Sequence, residues 1–361
     1  TLFVCEWVCT GIQFCVIGRF CTCARVCGEQ EHFVCLRGMS SLPAFLLEES
    51  AAVVDLINGP LSEALKGEDP MLTDQIWHRM VSAFGGSTSV ISGIDLALWD
   101  LAGKAAGKPV HELLGGPVKP DIPVYASALH PVGAEKVQAE AKAYVEEGYQ
   151  AMKMRFPYGP GHGIDGMRAN EEHVANVRDA VGDDIEIMAD AYMGWDFLYA
   201  KKMVKRLEPY RLAWLEEAFL PDDLNSYAKL RQETSIPISG GEHEYTRFGF
   251  QQIIEKQAMD IIQPDLRRCG GLSEGRRICA LALANGITVI PHAYGPTHIH
   301  FALAETAIPM IEYFPLPCWD DLPDAEVEPI FHDEPQPQNG RVTASAKPGL
   351  GVTVNERIFA G

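Results

Sequence analysis

Short apolar runs alternate with amphipathic stretches along the chain from residue 121 onward. The runs have the length of buried strands, and the segments between them, such as Gly133–Glu147 and Phe197–Leu207, carry apolar residues at helical spacing. A strand and a helix repeated roughly every 20–30 residues indicate successive βα units. Eight runs follow one another: Val124–Ser127, Ala151–Arg155, Ile185–Ala191, Leu212–Ala218, Ile236–Ser239, Asp260–Asp265, Thr288–His292 and Met310–Phe314.

The number of runs favours a closed barrel over an open sheet. Eight parallel strands, each followed by a helix, close the TIM-type (β/α) barrel. An open, doubly wound sheet is the alternative, but no Gly-x-Gly-x-x-Gly turn follows the first run to favour it. The sequence therefore predicts an α/β fold with a catalytic (β/α) barrel over residues 119–320.

The residues before the barrel have a different pattern and predict an α+β capping domain over residues 1–118. Residues 1–40 are rich in cysteine and alternate in a way that suggests strands, although this stretch differs in character from the rest. Helical spacing begins near Leu46 and returns in Ser92–Ala106, which Gly107-Lys108-Pro109 should end.

The tail, residues 321–361, should pack back on this cap. It contains Asn339-Gly340, which is a strong hairpin signal. We expect Arg341–Ser345 and Gly351–Val354 to be the two strands of that hairpin.

The net charge and the arrangement of the cysteines argue against several classes of partner and against a zinc site. The formal net charge of −19 repels nucleic acid and anionic membranes, and no charge-free apolar stretch is long enough for a membrane span. Seven of the ten cysteines fall within the first 35 residues, without the second close pair that a zinc site needs. We expect a reduced, cytoplasmic protein, and an acidic substrate would need a locally positive site.

Nearly every predicted strand ends in an ionisable side chain, and strand ends carry the catalytic groups of such barrels. Burying one of these groups costs several kcal/mol unless it is paired or bound to metal, so the full set points to a site. The set is Lys153, Arg155, Asp190, Glu216, Glu217, Glu242, His243, Asp265, His292 and Glu312.

Three of these groups predict a metal site. Asp190, Glu216 and Glu242 come from three neighbouring strands, and three convergent carboxylates repel one another unless a hard cation lies between them. Oxygen ligands select Mg²⁺, or Mn²⁺ as a substitute, over zinc. We expect one such ion per subunit.

The remaining groups predict proton transfer. Asp265 and His292 end adjacent strands, and a carboxylate beside an imidazole gives a general base. Lys153 is a second base or an electrostatic clamp, with a pKa lowered by a neighbouring cation. Arg155 suits charge neutralisation, and Glu312, if protonated, would bond to the oxygen that gains charge. A carboxylate held on the metal becomes acidic at its α carbon, which predicts α-proton abstraction to an enediolate.

The chain also resembles a known family, the enolase superfamily, in its mandelate racemase and muconate lactonizing branch. The resemblance covers residue 45 to the C-terminus, and it implies the same metal ligands, the His292–Asp265 base and Glu312 as the residue after it. The segments that carry it are Ser92–Asp100, Met188–Ala191, Trp214–Ala218, Gly241–His243, Asp260–Asp265 and Pro291–His292.

Within that branch the chain is most similar to sugar-acid dehydratases, through Gly241–Phe250, Pro221–Asp223 and the tail. The family's racemases carry Lys-x-Lys at the second strand, where this chain has Lys153-Met154-Arg155. This replacement argues for one-base elimination of water from an aldonate by His292. An epimerase or cycloisomerase, and a non-catalytic metal-binding protein, remain the alternatives.

Other expectations concern the surroundings of the site. The resemblance suggests a homo-oligomer, from a dimer to an octamer. His243 follows the fifth strand and is a further candidate for a catalytic role. The stretch Gly159–Gly163 should be a mobile lid, and His162 within it either meets the substrate or is solvated.

Overall fold

The computed structural model describes residues 12–17, 21–26, 32–36, 53, 55–83, 88–315, 330–355 and 357. The expected strands near the N-terminus are present as an antiparallel sheet of β1 (Ile12–Ile17), β2 (Cys21–Val26) and β3 (His32–Leu36) in chain order. Part of the helical pattern predicted from Leu46 lies outside the described residues.

A helical section follows the sheet. A π-helical turn, Ile57–Leu61, leads into α1 (Ser62–Leu65), α2 (Thr73–Ala83), α3 (Thr88–Ala106) and α4 (Val110–Leu113). α3 ends where Gly and Pro predict, because Gly107 takes a positive φ of 65° and the Lys108 amide bonds back to the Gly103 carbonyl at 2.9 Å. Among the described residues, no helix is long and apolar enough to cross a membrane.

All eight predicted barrel strands are present. They are β4 (Ile122–Ser127), β5 (Ala151–Arg155), β6 (Glu186–Asp190), β7 (Trp214–Glu216), β8 (Ile238–Gly240), β9 (Ile261–Ile262), β10 (Thr288–Val289) and β11 (Ile311–Tyr313). The helices between them are α5 (Ala134–Glu146), α6 (Gly163–Val181), α7 (Phe197–Leu207), α8 (Leu224–Glu233), α9 (Thr246–Glu255), α10 (Gly271–Ala284) and α11 (Pro296–Ala304).

The strand order is that of a barrel. Each strand from β4 to β10 pairs in parallel with the next, and the last strand, β11, pairs in parallel with the first, β4. An open doubly wound sheet instead reverses its strand order near the middle. The predicted (β/α) barrel is therefore confirmed, and the open-sheet alternative is rejected.

Two layers of side chains fill the barrel interior because inward positions recur every second residue. The lower layer is an aromatic and aliphatic cluster of Tyr125, Ala151, Met188, Trp214 and Ile290. Two residues further along the strands, the inward positions become polar: Ser127, Lys153, Asp190, Glu216 and His292. The apolar layer is thus a floor on which the ionisable groups stand.

The strand pairing predicted for the hairpin in the tail is wrong. Asn339 and Gly340 both take positive φ, 51° and 66°, as a type I′ turn requires. The strand that follows, β12 (Arg341–Val342), pairs with Ile122 and Pro123 of β4 rather than with residues 351–354. The start of β4 offers this edge because the ladders with β5 and β11 begin only later along the strand.

Beyond β12 the tail does contact the helical section. The Leu350 amide donates to Asp100 of α3 at 2.7 Å, and Gly349 lies directly against Gly103. The exact domain boundaries at 118 and 320 stay predictions.

α2 and α3 are joined to the loop between β9 and α10 through polar contacts. Both backbone groups of Gly270 are bonded to this section, since its amide donates to Ser92 Oγ and its carbonyl accepts from Trp77 Nε1, both at 2.8 Å. Asp95 Oδ2 accepts from the Ser273 amide at 2.9 Å, while Oδ1 lacks a hydrogen bond within the described structure. Burial raises the pKa of Asp95 from 3.8 to about 7.

This pKa predicts how the stability of Asp95→Asn depends on pH. The native state disfavours the Asp95 anion. The contribution of this carboxyl to the free energy of unfolding is therefore fully present below pH 4 and is lost as pH rises towards 7. At pH 8 we expect Asp95→Asn to be more stable than the parent by about 2–4 kcal/mol, with the gain vanishing near pH 4. Urea denaturation across this range measures it, with the exposed Asp179→Asn as the control. A difference that is independent of pH would contradict the assignment.

Candidate functional site

The strand ends bring carboxylates and cations together in the polar layer. Asp190 and Glu216 are register partners on β6 and β7, and both are buried. Arg155 forms an ion pair with Asp190, and Lys153 forms one with Glu216. The second Glu216 oxygen, Oε2, accepts two hydrogen bonds. One comes from Gln263 Nε2 at 2.7 Å, and the other comes from the indole Nε1 of the floor residue Trp214 at 2.9 Å.

Lys153 is fully buried between two carboxylates. Its ammonium lies 2.9 Å from Glu312 Oε1 in addition to its contact with Glu216. Burial alone would lower the pKa of Lys153, but these two carboxylates raise it well above its usual value. Lys153 is therefore a cation in this arrangement. The lowered pKa predicted for Lys153 beside a divalent cation, and its role as a second base or an electrostatic clamp, stay predictions.

Glu312 also differs from its expected form. Burial would raise its pKa, but Lys153 and His292, together with the Ala293 amide that donates to Oε2 at 2.8 Å, hold the pKa well below its usual range. Glu312 is thus an anion in this arrangement, while its predicted role as a protonated donor to the substrate stays a prediction.

The structure brings His292 and Asp265 into direct contact. His292 Nδ1 lies 2.9 Å from Asp265 Oδ2, while Nε2 points to Glu242 at 3.4 Å. Burial would lower the pKa of His292, but Glu242, the Asp265 hydrogen bond and Glu312 raise it to about 9. This arrangement therefore favours the protonated imidazole at neutral pH. Its role as the base stays a prediction.

Sequence reasoning missed two further side chains that contact the Asp265 carboxylate, Arg267 and His298. Arg267 Nε and Nη2 lie 3.2 and 3.1 Å from its two oxygens, and the Arg267 amide donates to Oδ1 at 2.8 Å. His298, which is fully buried, places Nε2 3.6 Å from the same Oδ1. The only signal for Arg267 was its place two residues after a strand-end carboxylate.

A second group of possible metal ligands lies beside the predicted one. The ligand atoms of Glu217, Glu242 and His243 all lie within 4.8 Å of one another, and His243 Nδ1 is 3.0 Å from Glu217. Glu217 reaches this place because its backbone takes a positive φ of 41°, which breaks the strand alternation that would turn it outward. Burial raises the pKa of Glu217 to about 7. His243 therefore contacts a carboxylate pair, and its catalytic role stays untested.

The donors suit a hard divalent cation. Asp190, Glu216 and Glu242 offer only oxygen atoms, and each is approached by a positive side chain, which for Glu242 is Arg268 at 3.6 Å. Carboxylates that share a site need positive charge, and a divalent ion can supply it. In the part of the chain that the structure describes, however, it is Glu217, Glu242 and His243, and not Asp190, Glu216 and Glu242, whose ligand atoms all come within 4.8 Å of one another. Asp190, Glu216 and Glu242 fit Mg²⁺ by chemistry, while the predicted ligand set itself stays a prediction.

The glycine-rich loop after β5 is anchored at its beginning. The Tyr158 carbonyl accepts from Asn170 at 2.8 Å and from Trp195 Nε1 at 3.0 Å. His162 is exposed, and its ring lies edge-on to Tyr158 at 5.1 Å. A mobile lid and a substrate contact by His162 stay predictions.

Comparison with known proteins decides the family. A model described as "Enolase C-terminal domain-like" matches residues 136–358, and the N-terminal domain of the mandelate racemase / muconate lactonizing enzyme family matches residues 39–115. The chain belongs to the enolase superfamily. L-rhamnonate dehydratase of Saccharopolyspora erythraea is 35% identical over 316 residues, which are 84% of this chain and 77% of that protein. The predicted enzyme class, a hydro-lyase of this superfamily, is confirmed.

Solved structures agree with this membership. The 3,6-anhydro-D-galactonate cycloisomerase from Zobellia galactanivorans is 27% identical, with a TM-score of 0.82 over 97% of this chain and 98% of that one. A racemase from Streptomyces coelicolor, solved with bound magnesium, is 25% identical, with a TM-score of 0.79 over 94% of this enzyme and 90% of that chain.

The buried ion pairs predict the effect of Lys153→Met. This change leaves Glu216 and Glu312 buried without their shared cation, so the free energy of unfolding in EDTA should fall by about 3–5 kcal/mol. Urea denaturation measures it. Lys201→Met, which removes an exposed pair with Glu233, is the control and should cost less than about 1 kcal/mol. Equal stability of the two variants would show that Lys153 does not compensate these carboxylates.

Proposed function

We propose that this enzyme is a Mg²⁺-dependent acid-sugar dehydratase that converts an aldonate to a 2-keto-3-deoxy acid. The observation that carries the proposal is a single imidazole base facing a carboxylate cluster: His292 Nε2 lies 3.4 Å from Glu242, and Asp265 holds its Nδ1. The cationic side chains at β5, Lys153 and Arg155, are both ion-paired. The site thus has one base, which suits elimination better than two-base racemisation.

Asp190, Glu216 and Glu242 would hold the metal ion. When bound, the ion supplies positive charge to a substrate carboxylate and so stabilises the charge that develops when the α-proton leaves. The bound magnesium of the Streptomyces coelicolor racemase supports this choice of metal.

The chain's own residues account for the proton movements. Asp265 accepts a hydrogen bond from the Nδ1–H of His292, which leaves Nε2 as the basic nitrogen. Nε2 takes the α-proton, and the electron pair of that C–H bond forms the new carbon–carbon double bond as the β C–O bond breaks. The same Nε2 returns the proton to the departing hydroxyl, which leaves as water, and the resulting enol tautomerises to the 2-keto acid.

Lys153 and Arg155 supply positive charge to the site. Burial disfavours a charge on either group, but the neighbouring carboxylates raise the pKa of both, so each is a cation in this arrangement. Their charges are available to the substrate carboxylate and hydroxyls once a metal ion takes over Asp190 and Glu216.

A cycloisomerase is the second candidate. The Zobellia galactanivorans enzyme, whose fold covers almost the whole of this chain, is named for that activity on an anhydro sugar acid. The L-rhamnonate dehydratase relative favours dehydration, and an aldonate of the same class is the substrate we propose. A cytoplasmic location and a homo-oligomer of two to eight subunits stay predictions.

A substrate panel tests the reaction. Purified protein with Mg²⁺ is incubated with aldonic and aldaric acids, and we expect 2-keto acid from at least one aldonate, scored with semicarbazide. His292→Asn should lose both product formation and α-proton exchange in deuterated water. Exchange without 2-keto acid in the parent enzyme would favour an isomerase, and no exchange with any acid would favour a non-catalytic metal-binding protein. Exchange retained in His292→Asn would assign the base elsewhere.

Magnesium binding distinguishes the two possible ligand groups. Glu216→Gln should weaken Mg²⁺ binding, measured by titration calorimetry, by at least about 10-fold because a charged oxygen ligand is lost. Glu217→Gln is the matched neighbour and should weaken binding much less. The reverse order would place the ion at Glu217, Glu242 and His243.

A further inference from the structure

Asp265 contacts more cationic and hydrogen-bond-donating groups than are needed to hold the His292 ring. It is fully buried, and it begins a turn in which its carbonyl accepts from the Arg268 and Cys269 amides at 2.9 and 2.8 Å. His292 uses only Oδ2. The other contacts come from Arg267, His298 and, at 3.8 Å, Arg268, to which the proposed reaction assigns no role.

Arg267 contacts the same carboxylate and shares Oδ2 with His292. Its guanidinium reaches both oxygens, at 3.2 and 3.1 Å, and its own amide donates to Oδ1 at 2.8 Å. A planar guanidinium that contacts both oxygens fixes the plane of a carboxylate, which a single hydrogen bond does not do. The orientation of Oδ2 towards His292 therefore depends on Arg267.

His298 completes the enclosure of Oδ1. Its Nε2 is 3.6 Å from that oxygen, and Thr297 Oγ1 lies 3.3 Å from its Nδ1. The ring is wholly buried at the start of α11, and Nε2 has no hydrogen bond elsewhere in the described structure. His298 thus blocks rotation of the carboxylate and offers it a further partner.

We propose that Arg267, supported by His298, is a positioning residue that fixes the Asp265 carboxylate so that His292 keeps its proton on Nδ1 and presents Nε2 to the substrate. This inference rests on the proposed role of His292 as base. Arg267 touches neither the substrate nor the reacting atoms in this account. Its effect is transmitted through the geometry of a single hydrogen bond.

The first test uses NMR to monitor the hydrogen bond between His292 and Asp265 in the absence of substrate. In protein carrying ¹⁵N-histidine, the Nδ1–H resonance of His292 is assigned by its loss in His292→Asn. Arg267→Met should shift this resonance and speed its exchange with water, and Arg267→Lys should restore it only in part because an ammonium cannot contact both oxygens in one plane. Arg276→Met is the control, since Arg276 lies exposed on α10 with its charge 3.9 Å from Glu305.

The second test uses turnover of the aldonate found in the panel. Arg267→Met should lower kcat by about 10- to 100-fold with a smaller change in KM, as expected for a group that orients a catalytic one. Arg267→Lys should fall between the parent and Arg267→Met. An unchanged resonance, exchange rate and kcat in folded Arg267→Met would overturn the proposal. If no acid turns over in the parent, the proposed function fails, and the resonance alone still decides whether Arg267 orients Asp265.

Discussion

The whole site depends on compensating several carboxylates that the barrel buries in one layer. Asp190, Glu216 and Glu312 are all buried beside an apolar cluster, where an unpaired charge costs several kcal/mol. In this structure Arg155 and Lys153 supply the compensation, with Lys153 shared between two of the three carboxylates. The same need for positive charge is what makes the layer suitable for a divalent cation and then for an anionic substrate.

Barrel geometry creates this concentration of charge. Parallel register places Arg155, Asp190 and Glu216 side by side on three successive strands, and the two-residue period puts them all inside. The loop after β9 adds Asp265, held on one side by Arg267 and, through Gly270, by the helical section that includes Ser92. The proposed base is therefore supported from both the barrel and the helices that precede it.

Much of the fold and part of the candidate site could be predicted from the sequence because local residue patterns determine them. Eight strands and the contact between Asp265 and His292 follow from strand ends meeting at one rim. The ionisation of Lys153 and Glu312 could not be predicted, because it depends on distances between side chains from different strands. Glu217 was overlooked as a possible ligand because a left-handed backbone overrides the alternation. The pairing of β12 was predicted wrongly because the open edge of β4 appears only in the folded barrel.

Crystal structures with and without Mg²⁺ test the central claim most directly. If a divalent cation and the basic side chains compensate the same carboxylates, the ion will lie between Asp190, Glu216 and Glu242. The contacts of Arg155 with Asp190 and of Lys153 with Glu216 will then be broken or lengthened. An ion bound by Glu217, Glu242 and His243, with both ion pairs intact, would contradict the account.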